Sequence, residues 1–281
     1  MRQKIALAVT GAAALFALTA CGGGDTGAAD TSADTNSAGL AIVKVGASPV
    51  PHARILEFID ENLAADAGID LDITEIDDYQ TPNTALSEGT LDANFYQHLP
   101  WFEDQVATKG YDFEHGEGVH IEPFAAFSDK YSSAGEIPDG AKVVVTNDPA
   151  NQLRALRVLE QAGLLSDISD DSSVLTLSDE QNPKKLAFSE VPPEQAVQVF
   201  KQDSSFDIGM INGNFILQAG LKSSDALAVE ETEGNPYANF LAWRAGEQSD
   251  AIATLDELLH SDEVAAFIEE TWPDGDVIPA F

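Results

Sequence analysis

Cysteine is almost absent from this chain, and that shortage limits its chemistry. Cys21 is the only cysteine among 281 residues, so the chain can form no internal disulfide and offers no cluster of thiolates for zinc. The cysteine follows two early basic residues, an uncharged apolar run over residues 5–17 and several small residues. This order is typical of a secretory signal, and we expect residues 1–20 to be a signal peptide that is removed.

The segment that ends at Cys21 reads Leu-Thr-Ala-Cys and resembles the lipobox of bacterial lipoproteins. The resemblance implies that lipid is attached to the Cys21 sulfur and holds the protein at the extracytoplasmic face of the cell membrane. The alternative is an ordinary signal or a membrane helix, although the apolar run is short for a span. Residues 21–40 are rich in Gly, Ala, Ser, Thr and Asp, which predicts a flexible tether.

Basic residues are also scarce. The chain has 14 Lys and Arg against 48 Asp and Glu, for a net charge of −34. Because nucleic-acid binding needs a basic face, the charge excludes nucleic acid as a partner. Anionic lipid would repel such a body, so the lipid on Cys21 would carry the membrane attachment. We interpret the acidity as a device for solubility at an exposed cell surface, rather than as a specific cation site.

From residue 41 onward, short apolar strands alternate with amphipathic helices. A strand over residues 42–45 precedes a helix over 52–65, and a β-branched strand over 142–146 precedes a helix over 149–162. Between them, residues 119–124 are predicted to form one strand. The alternation predicts an α/β fold with mostly parallel strands and helices on both faces. We expect a first lobe over residues 41–127, a second over 128–234, and a return to the first lobe over 235–281.

Three strand-to-helix corners hold the candidate binding residues, at residues 94–102, 146–154 and 207–214. Ligands of open α/β sheets bind outside the carboxyl ends of the strands, where such corners lie. The first corner places Tyr96, His98 and Trp101 together, which indicates an apolar box with polar tips. The alternative is that these side chains belong to the core of the corner, with His98 in a structural role.

The second corner is expected to aim Arg154 at the strand end. Asp148 is a plausible N-cap and Pro149 a first helical residue, which puts Arg154 less than two turns into the helix. Helical side chains tilt toward the N-terminus, and a guanidinium can bind a carboxylate with two hydrogen bonds. The alternative is a solvated Arg154, or one paired with a surface acid.

Asparagine is the candidate at the third corner. Asn212 follows an apolar strand, and Asn239 stands in a similar place after residues 235–237. A carboxamide offers both a donor and an acceptor, which suits an ammonium or a carboxylate. An ordinary turn asparagine is the alternative.

Residues 114–122 form a competing candidate, because they contain two histidines and three glutamates. Imidazole and carboxylate can bind zinc, so His115 and His120 could serve a surface metallohydrolase. The segment is a Gly-rich loop, however, and acids are common throughout the chain. No Gly-x-Ser-x-Gly and no P-loop is present. We therefore expect no metal, no cofactor and no catalytic residue.

Eight short motifs stand out in the body of the chain. They are VGASPVPHA (45–53), DYQTPN (78–83), LDANFYQH (91–98), GVHIEP (118–123), NDPANQLR (147–154), INGN (211–214), NPYAN (235–239) and VIPAF (277–281). In this order they resemble the motifs of the substrate-binding lipoproteins of bacterial methionine importers of the ABC class. The resemblance covers residues 43–281.

The resemblance implies a two-lobed fold like that of periplasmic binding proteins, with a ligand cleft between the lobes. It further implies that Arg154 holds the carboxylate of an amino acid and that Asn212 and Asn239 bind its polar end. Tyr96 and Trp101 stand where the family usually has Phe and Tyr, so an aromatic pocket is kept. The expected ligand-binding set is Tyr79, Tyr96, His98, Trp101, Asn151, Arg154, Asn212 and Asn239.

The function implied is a lipid-anchored receptor that captures methionine outside the cell and delivers it to the permease and ATPase subunits of an importer. Within binding proteins, the alternative ligand is another small amino acid or a dipeptide. Outside that class, the alternatives are the metallohydrolase described above and a surface adhesion protein, which needs no closed cleft for a small ligand.

Overall fold

A computed structural model of the protein describes residues 34–281. The predicted signal peptide, the lipidation site at Cys21 and most of the predicted tether lie outside the described residues. Within the described part of the chain, no helix is both long enough and apolar enough to cross a membrane.

Residues 34–281 contain twelve strands. In chain order they are β1 (Ala41–Ala47), β2 (Ile69–Glu75), β3 (Ala93–His98), β4 (Phe113–His115), β5 (His120–Ile121), β6 (Ala125–Phe127), β7 (Lys142–Thr146), β8 (Ala187–Val191), β9 (Ile208–Ile211), β10 (Ala228–Val229), β11 (Asn239–Arg244) and β12 (Ile278–Pro279).

The same residues contain eight α-helices. They are α1 (Arg54–Ile59), α2 (Thr81–Ser87), α3 (Leu99–Lys109), α4 (Pro149–Gln161), α5 (Ala196–Gln202), α6 (Gly213–Gln218), α7 (Asp250–Leu259) and α8 (Asp262–Thr271). An irregular turn at Pro49–Ala53, in which Val50 is extended, precedes α1, and a wider π-helical turn follows it at Asp60–Ala64. Three short 3-10 turns lie at Ala134–Glu136, Pro193–Gln195 and Ser223–Asp225.

Two separate sheets organise the strands. The first has the spatial order β12-β5-β11-β3-β1-β2, with β4 beside β11, and the second has the order β10-β6-β9-β7-β8. Parallel pairs occupy one half of each sheet, where helical crossovers connect β1, β2 and β3, and likewise β7, β8 and β9. The other pairs are antiparallel. The α/β class is therefore confirmed, but the expectation of mostly parallel strands is wrong.

Each sheet has its own apolar core. Val43 and Val45 of β1 pack in the first core with Ile55 of α1 and with α7 and α8. Val143 and Val145 of β7 pack in the second core with residues of α4 and β9. Alternate residues of a strand point to the same face, so each central strand supplies a row of side chains to its core.

The chain changes sheet twice within the described residues. It leaves the first sheet after β5 and enters the second at β6, and it returns between β10 and β11. The sequence predicted one strand over residues 119–124, but the chain changes sheet there, and Pro123 has no N–H for a ladder hydrogen bond. β6 lies in the second sheet, ahead of the predicted boundary after residue 127. The lobe boundaries at 127 and 234 stay predictions.

Candidate functional site

One cavity of about 340 Å³ collects the candidate binding residues. All eight residues that the sequence analysis selected line it, together with five others. The lining residues are His52, Tyr79, Tyr96, Gln97, His98, Trp101, Glu122, Asn151, Arg154, Asn212, Gly213, Asn214 and Asn239.

The corner between β3 and α3 supplies an aromatic wall. His98 caps α3, because its Nδ1 accepts a hydrogen bond from the Trp101 backbone N–H at 3.3 Å. The cap turns the Trp101 indole back toward the strand, where its Nε1–H donates to the Tyr96 hydroxyl at 3.1 Å. The Tyr96 hydroxyl then donates to the Tyr79 carbonyl at 3.1 Å. The polar tips of these side chains are thus satisfied, and their apolar faces are left for the cavity.

Tyr79 completes the aromatic wall. Its ring centroid lies 6.0 Å from that of Tyr96, 5.9 Å from that of Trp101 and 5.3 Å from that of Phe215. Burial raises the pKa of the Tyr79 phenol well above its ordinary value, so the hydroxyl is neutral at physiological pH. It donates to Oδ1 of Asn214 at 2.6 Å, which fixes the orientation of the Asn214 carboxamide.

The corner between β7 and α4 forms as the sequence predicts. The Asp148 carboxylate accepts the Asn151 backbone N–H at 2.8 Å, and Pro149 is the first residue of the helix. Asp148 also accepts from Asn151 Nδ2 at 3.0 Å, which leaves Asn151 Oδ1 as an acceptor. That oxygen receives Asn212 Nδ2 at 2.8 Å and faces His98 Nε2 at 3.0 Å. Residues of all three predicted corners therefore meet in one hydrogen-bonded chain.

Arg154 is buried, and its partner is a buried acid rather than a surface one. Its Nε donates to Glu230 Oε1 at 2.7 Å and its Nη2 donates to Glu230 Oε2 at 2.6 Å. Nη2 also donates to the Glu122 carbonyl at 2.8 Å. Burial lowers the pKa of Arg154, but the adjacent Glu230 carboxylate raises it by more, so the pKa is raised. The guanidinium carbon lies 4.3 Å from the Tyr237 ring centroid. Glu230 therefore binds one edge of the guanidinium, and the Tyr237 ring packs on its face.

A buried carboxylate and two imidazoles form a second polar group, of which Glu122 and His52 line the cavity. Glu122 Oε1 lies 2.9 Å from His120 Nε2 and 3.2 Å from His52 Nε2. His52 Nε2 also faces Asn239 Oδ1 at 3.2 Å. Burial lowers the pKa of His52 to about 4 and that of His120 to about 3. Both rings are therefore neutral near pH 7, and each donates its Nε2–H toward Glu122.

This carboxylate–imidazole group is the only one within residues 34–281 with three side chains placed to hold a metal ion, with donor atoms within 4.8 Å of one another. His115 does not belong to it. The His115 ring is exposed and stacks on Phe240 at 4.3 Å between centroids, whereas His120 is fully buried. The pairing of His115 with His120 that a metallohydrolase would need is therefore not formed.

Sequence reasoning missed five lining residues: His52, Gln97, Glu122, Gly213 and Asn214. His52 follows the carboxyl end of β1, which is the same signal that selected the other corners, and it was available in the sequence. Glu122 stands out in the sequence only as one acid of the candidate metal segment over residues 114–122, because acids are common throughout the chain. Glu230, which binds Arg154 from behind the cavity wall, lies 76 residues away in sequence, and no local pattern indicates it.

Comparison with known proteins identifies the family. The sequence profile of the NlpA lipoproteins matches residues 43–281. The chain belongs to the NlpA lipoprotein family. The methionine-binding lipoprotein MetQ of Bacillus subtilis is 38% identical over 242 residues, which is 84% of this chain and 87% of MetQ.

Solved structures of binding proteins agree with this fold. A nutrient-binding protein from Burkholderia cenocepacia bound to methionine has a TM-score of 0.78 and 32% identity, covering 85% of this chain and 100% of that one. A periplasmic substrate-binding protein of an ABC transporter from Coxiella burnetii has a TM-score of 0.77, 32% identity and the same coverage. This NlpA protein is therefore a substrate-binding membrane lipoprotein of the ABC-transporter class, with a periplasmic-binding-protein fold, and it is not an enzyme.

Proposed function

We propose that the protein binds methionine in the cavity and delivers it to the permease of an ABC importer. The observation that carries the proposal is one cavity that brings together an anionic group, a cationic group and an aromatic wall. These are the three chemical features that an α-amino acid with an apolar side chain would contact. The two sheets would form the two lobes around this cavity.

The ammonium group of the ligand would bind at Glu122. This carboxylate is buried, and burial raises the pKa of its carboxyl group. A ligand cation beside Glu122 would stabilise the ionised carboxylate, because a buried charge is unfavourable unless an opposite charge lies close to it. Asn239 Oδ1, beside His52, offers a second acceptor. An ammonium donates three hydrogen bonds and accepts none, so this surface of acceptors fits it.

The carboxylate of the ligand would bind between Arg154 and Asn214. Nε and Nη2 of Arg154 are engaged by Glu230, whereas its Nη1 has no hydrogen-bond partner among the described residues. Asn214 Nδ2 is buried and likewise unpartnered within residues 34–281. A buried donor without a partner costs about 1–3 kcal/mol. A ligand carboxylate would remove that cost, and this favours an anionic group at the position.

The side chain of the ligand would lie on the aromatic wall of Tyr79, Tyr96 and Trp101. Methionine suits this surface, because a flexible thioether makes favourable contacts with aromatic rings, about 0.3–1.5 kcal/mol each. The methionine named for the Bacillus subtilis relative and bound in the Burkholderia cenocepacia structure supports this choice. The transporter named for the Coxiella burnetii protein supports the permease as a partner.

A thermal-shift screen against the common amino acids and Met-containing dipeptides tests the ligand. We expect methionine to raise the melting temperature most, since a ligand at 100 times its dissociation constant adds about 2.7 kcal/mol to the free energy of unfolding. A larger shift with another amino acid or with a dipeptide would replace methionine as the ligand. No shift with any of them would contradict the assignment of an amino-acid receptor.

A further inference from the structure

We propose that Glu230 is a positioning residue for ligand recognition, because it holds the Arg154 guanidinium so that only Nη1 is offered to the ligand carboxylate. The inference rests on the proposed function and assigns a role to a residue that does not line the cavity. In this arrangement the ligand carboxylate is recognised by a directed hydrogen bond from Arg154 Nη1 rather than by an unpaired positive charge.

The carboxylate of Glu230 is itself fixed. Glu230 directly follows β10, which pairs with β6, and this pairing brings it beside the backbone of Phe124. The Phe124 N–H donates to Glu230 Oε2 at 3.2 Å. Its side chain is 5% exposed, and that of Arg154 is 4% exposed. A buried carboxylate with three donors on its two oxygens has little freedom to rotate, so it can serve as a reference for the group bound to it.

The orientation of Arg154 follows from this pairing. A guanidinium is planar and presents its donors in a fixed fork, so two hydrogen bonds along the Nε–Nη2 edge define its plane and its rotation. The rings of Tyr237 and Phe124, at 4.3 and 5.5 Å from the guanidinium carbon, lie against it. The remaining nitrogen, Nη1, is left for the cavity that Arg154 lines.

Glu230 also cancels the charge of Arg154. The cavity then contains one uncompensated carboxylate, Glu122, and no uncompensated cation among the described residues that line it. A ligand that carries a carboxylate but no ammonium would meet this anion without compensation. The Arg154–Glu230 pair therefore favours zwitterions and selects against N-acylated amino acids, although the carboxylate is still bound through Nη1.

Glu230→Gln is the direct test, because the amide nitrogen would face a donor of Arg154. We would measure the affinities of methionine and methioninamide, which differ only in the carboxylate, by calorimetry. The positioning role predicts that the ratio of the methionine affinity to the methioninamide affinity falls by about tenfold or more. It also predicts that the affinity for N-acetylmethionine rises relative to that for methionine, since the cavity then contains an unpaired cation.

Glu190→Gln is the matched control, because Glu190 accepts from Gln152 at 2.8 Å and lies outside the cavity.

A purely structural ion pair would lower the affinities for methionine and methioninamide by the same factor, and that result would overturn the proposal. Glu230→Asp is the second variant if Glu230→Gln does not fold, since its shorter side chain keeps the charge but withdraws it from the guanidinium. The same loss of carboxylate preference is expected. A parent protein that binds neither compound would overturn the proposed function instead. In that case the crystal structure of Glu230→Gln would test the role of Glu230 by itself. An Arg154 guanidinium in its parent orientation would contradict the positioning role.

Discussion

Nε2 of His98 lies 3.0 Å from Oδ1 of Asn151, and this contact joins β3 of the first sheet to α4 beside the second. The tautomer of His98 follows from its neighbours. Its Nδ1 accepts the Trp101 N–H, so Nε2 carries the proton and donates to the oxygen that also receives Asn212. A neutral imidazole can accept at Nδ1 and donate at Nε2. A protonated imidazole would carry a hydrogen on Nδ1 as well, and that hydrogen would face the Trp101 N–H.

Acid is therefore expected to destabilise the folded protein. Burial lowers the pKa values of His52, His98 and His120 to about 3–4 from the ordinary 6.5. Between pH 6.5 and 4 the unfolded chain binds protons at these residues and the folded chain does not, so the free energy of unfolding falls as pH falls. Each histidine contributes a slope of up to about 1.4 kcal/mol per pH unit.

Urea unfolding at pH 7, 6 and 5 measures that slope. We expect His98→Gln to reduce it, because one of the three buried histidines is removed, and the exposed His115→Gln to leave it unchanged. The raised pKa of Glu122 acts in the opposite direction. Equal pH slopes of the free energy of unfolding in the parent and in His98→Gln would contradict neutral burial of the His98 ring.

Removal of the Arg154 side chain should cost more affinity than any other single change in the cavity. Loss of one partner of a buried charge pair costs about 2–5 kcal/mol, or roughly 30-fold to several-thousand-fold in Kd. Asn239→Ala and Asn212→Ala should follow. Calorimetry with methionine compares them with Arg54→Ala, an exposed residue of α1. Near-parent affinity of a folded Arg154→Ala would show that the ligand carboxylate lies elsewhere.

Gly213→Ala should weaken binding by moving Glu122. A Cβ added at Gly213 would lie 2.4 Å from the Glu122 Cβ and 3.1 Å from its carbonyl carbon, so the backbone that positions the carboxylate must shift. Overpacking of this kind costs about 1–3 kcal/mol in stability. Gly135→Ala is the control, because a Cβ there would meet no atom within 4 Å. Parent-like affinity and stability in Gly213→Ala would contradict the close packing of α6 on Glu122.

Methionine binding should not depend on a metal ion. The two imidazoles already satisfy Glu122 through their Nε2–H groups, and a metal would have to displace both protons. Dialysis against EDTA is expected to leave the Kd for methionine unchanged. If EDTA abolished binding and zinc restored it, the group of His52, His120 and Glu122 would have to be reassigned as a metal site.

Cys21→Ser should release the protein from the membrane and leave ligand binding intact. Cys21 stands 20 residues before the first strand at Ala41, and the cavity residues all lie beyond that strand. Fractionation of cells gives the location, and calorimetry on the released protein gives the affinity. Loss of methionine binding in a folded Cys21→Ser protein would show that the anchor and the receptor are not separable.

Local signals in the sequence predicted much of the site. The Asp148 cap, the first helical Pro149 and the strand ends before Asn151 and Asn212 depend on residues a few positions apart. Each was therefore readable from propensity and spacing. The structure places all eight selected residues on one cavity, although their contacts with a ligand stay a prediction.

The remaining contacts depend on topology. Arg154 meets Glu230, and Tyr79 meets Asn214, across 76 and 135 residues of sequence. These pairings exist because β6 and β10 join the second sheet while β11 joins the first. The antiparallel strands that make this possible are two to six residues long. Two or three residues show too little alternation to indicate a strand, and β12 contains a proline.

The two acids of the site occupy the two passages between the sheets. Glu122 lies between β5 and β6, and Glu230 lies at the start of the passage from β10 to β11. In any rotation of one sheet against the other, points near the axis travel least, and the axis must pass close to the segments that span both halves. Glu122 and Glu230 would thus stay nearly still while the aromatic wall and Asn212 approach each other. A ligand could dock its charged groups against a stationary pivot first, and its side chain would be enclosed afterwards.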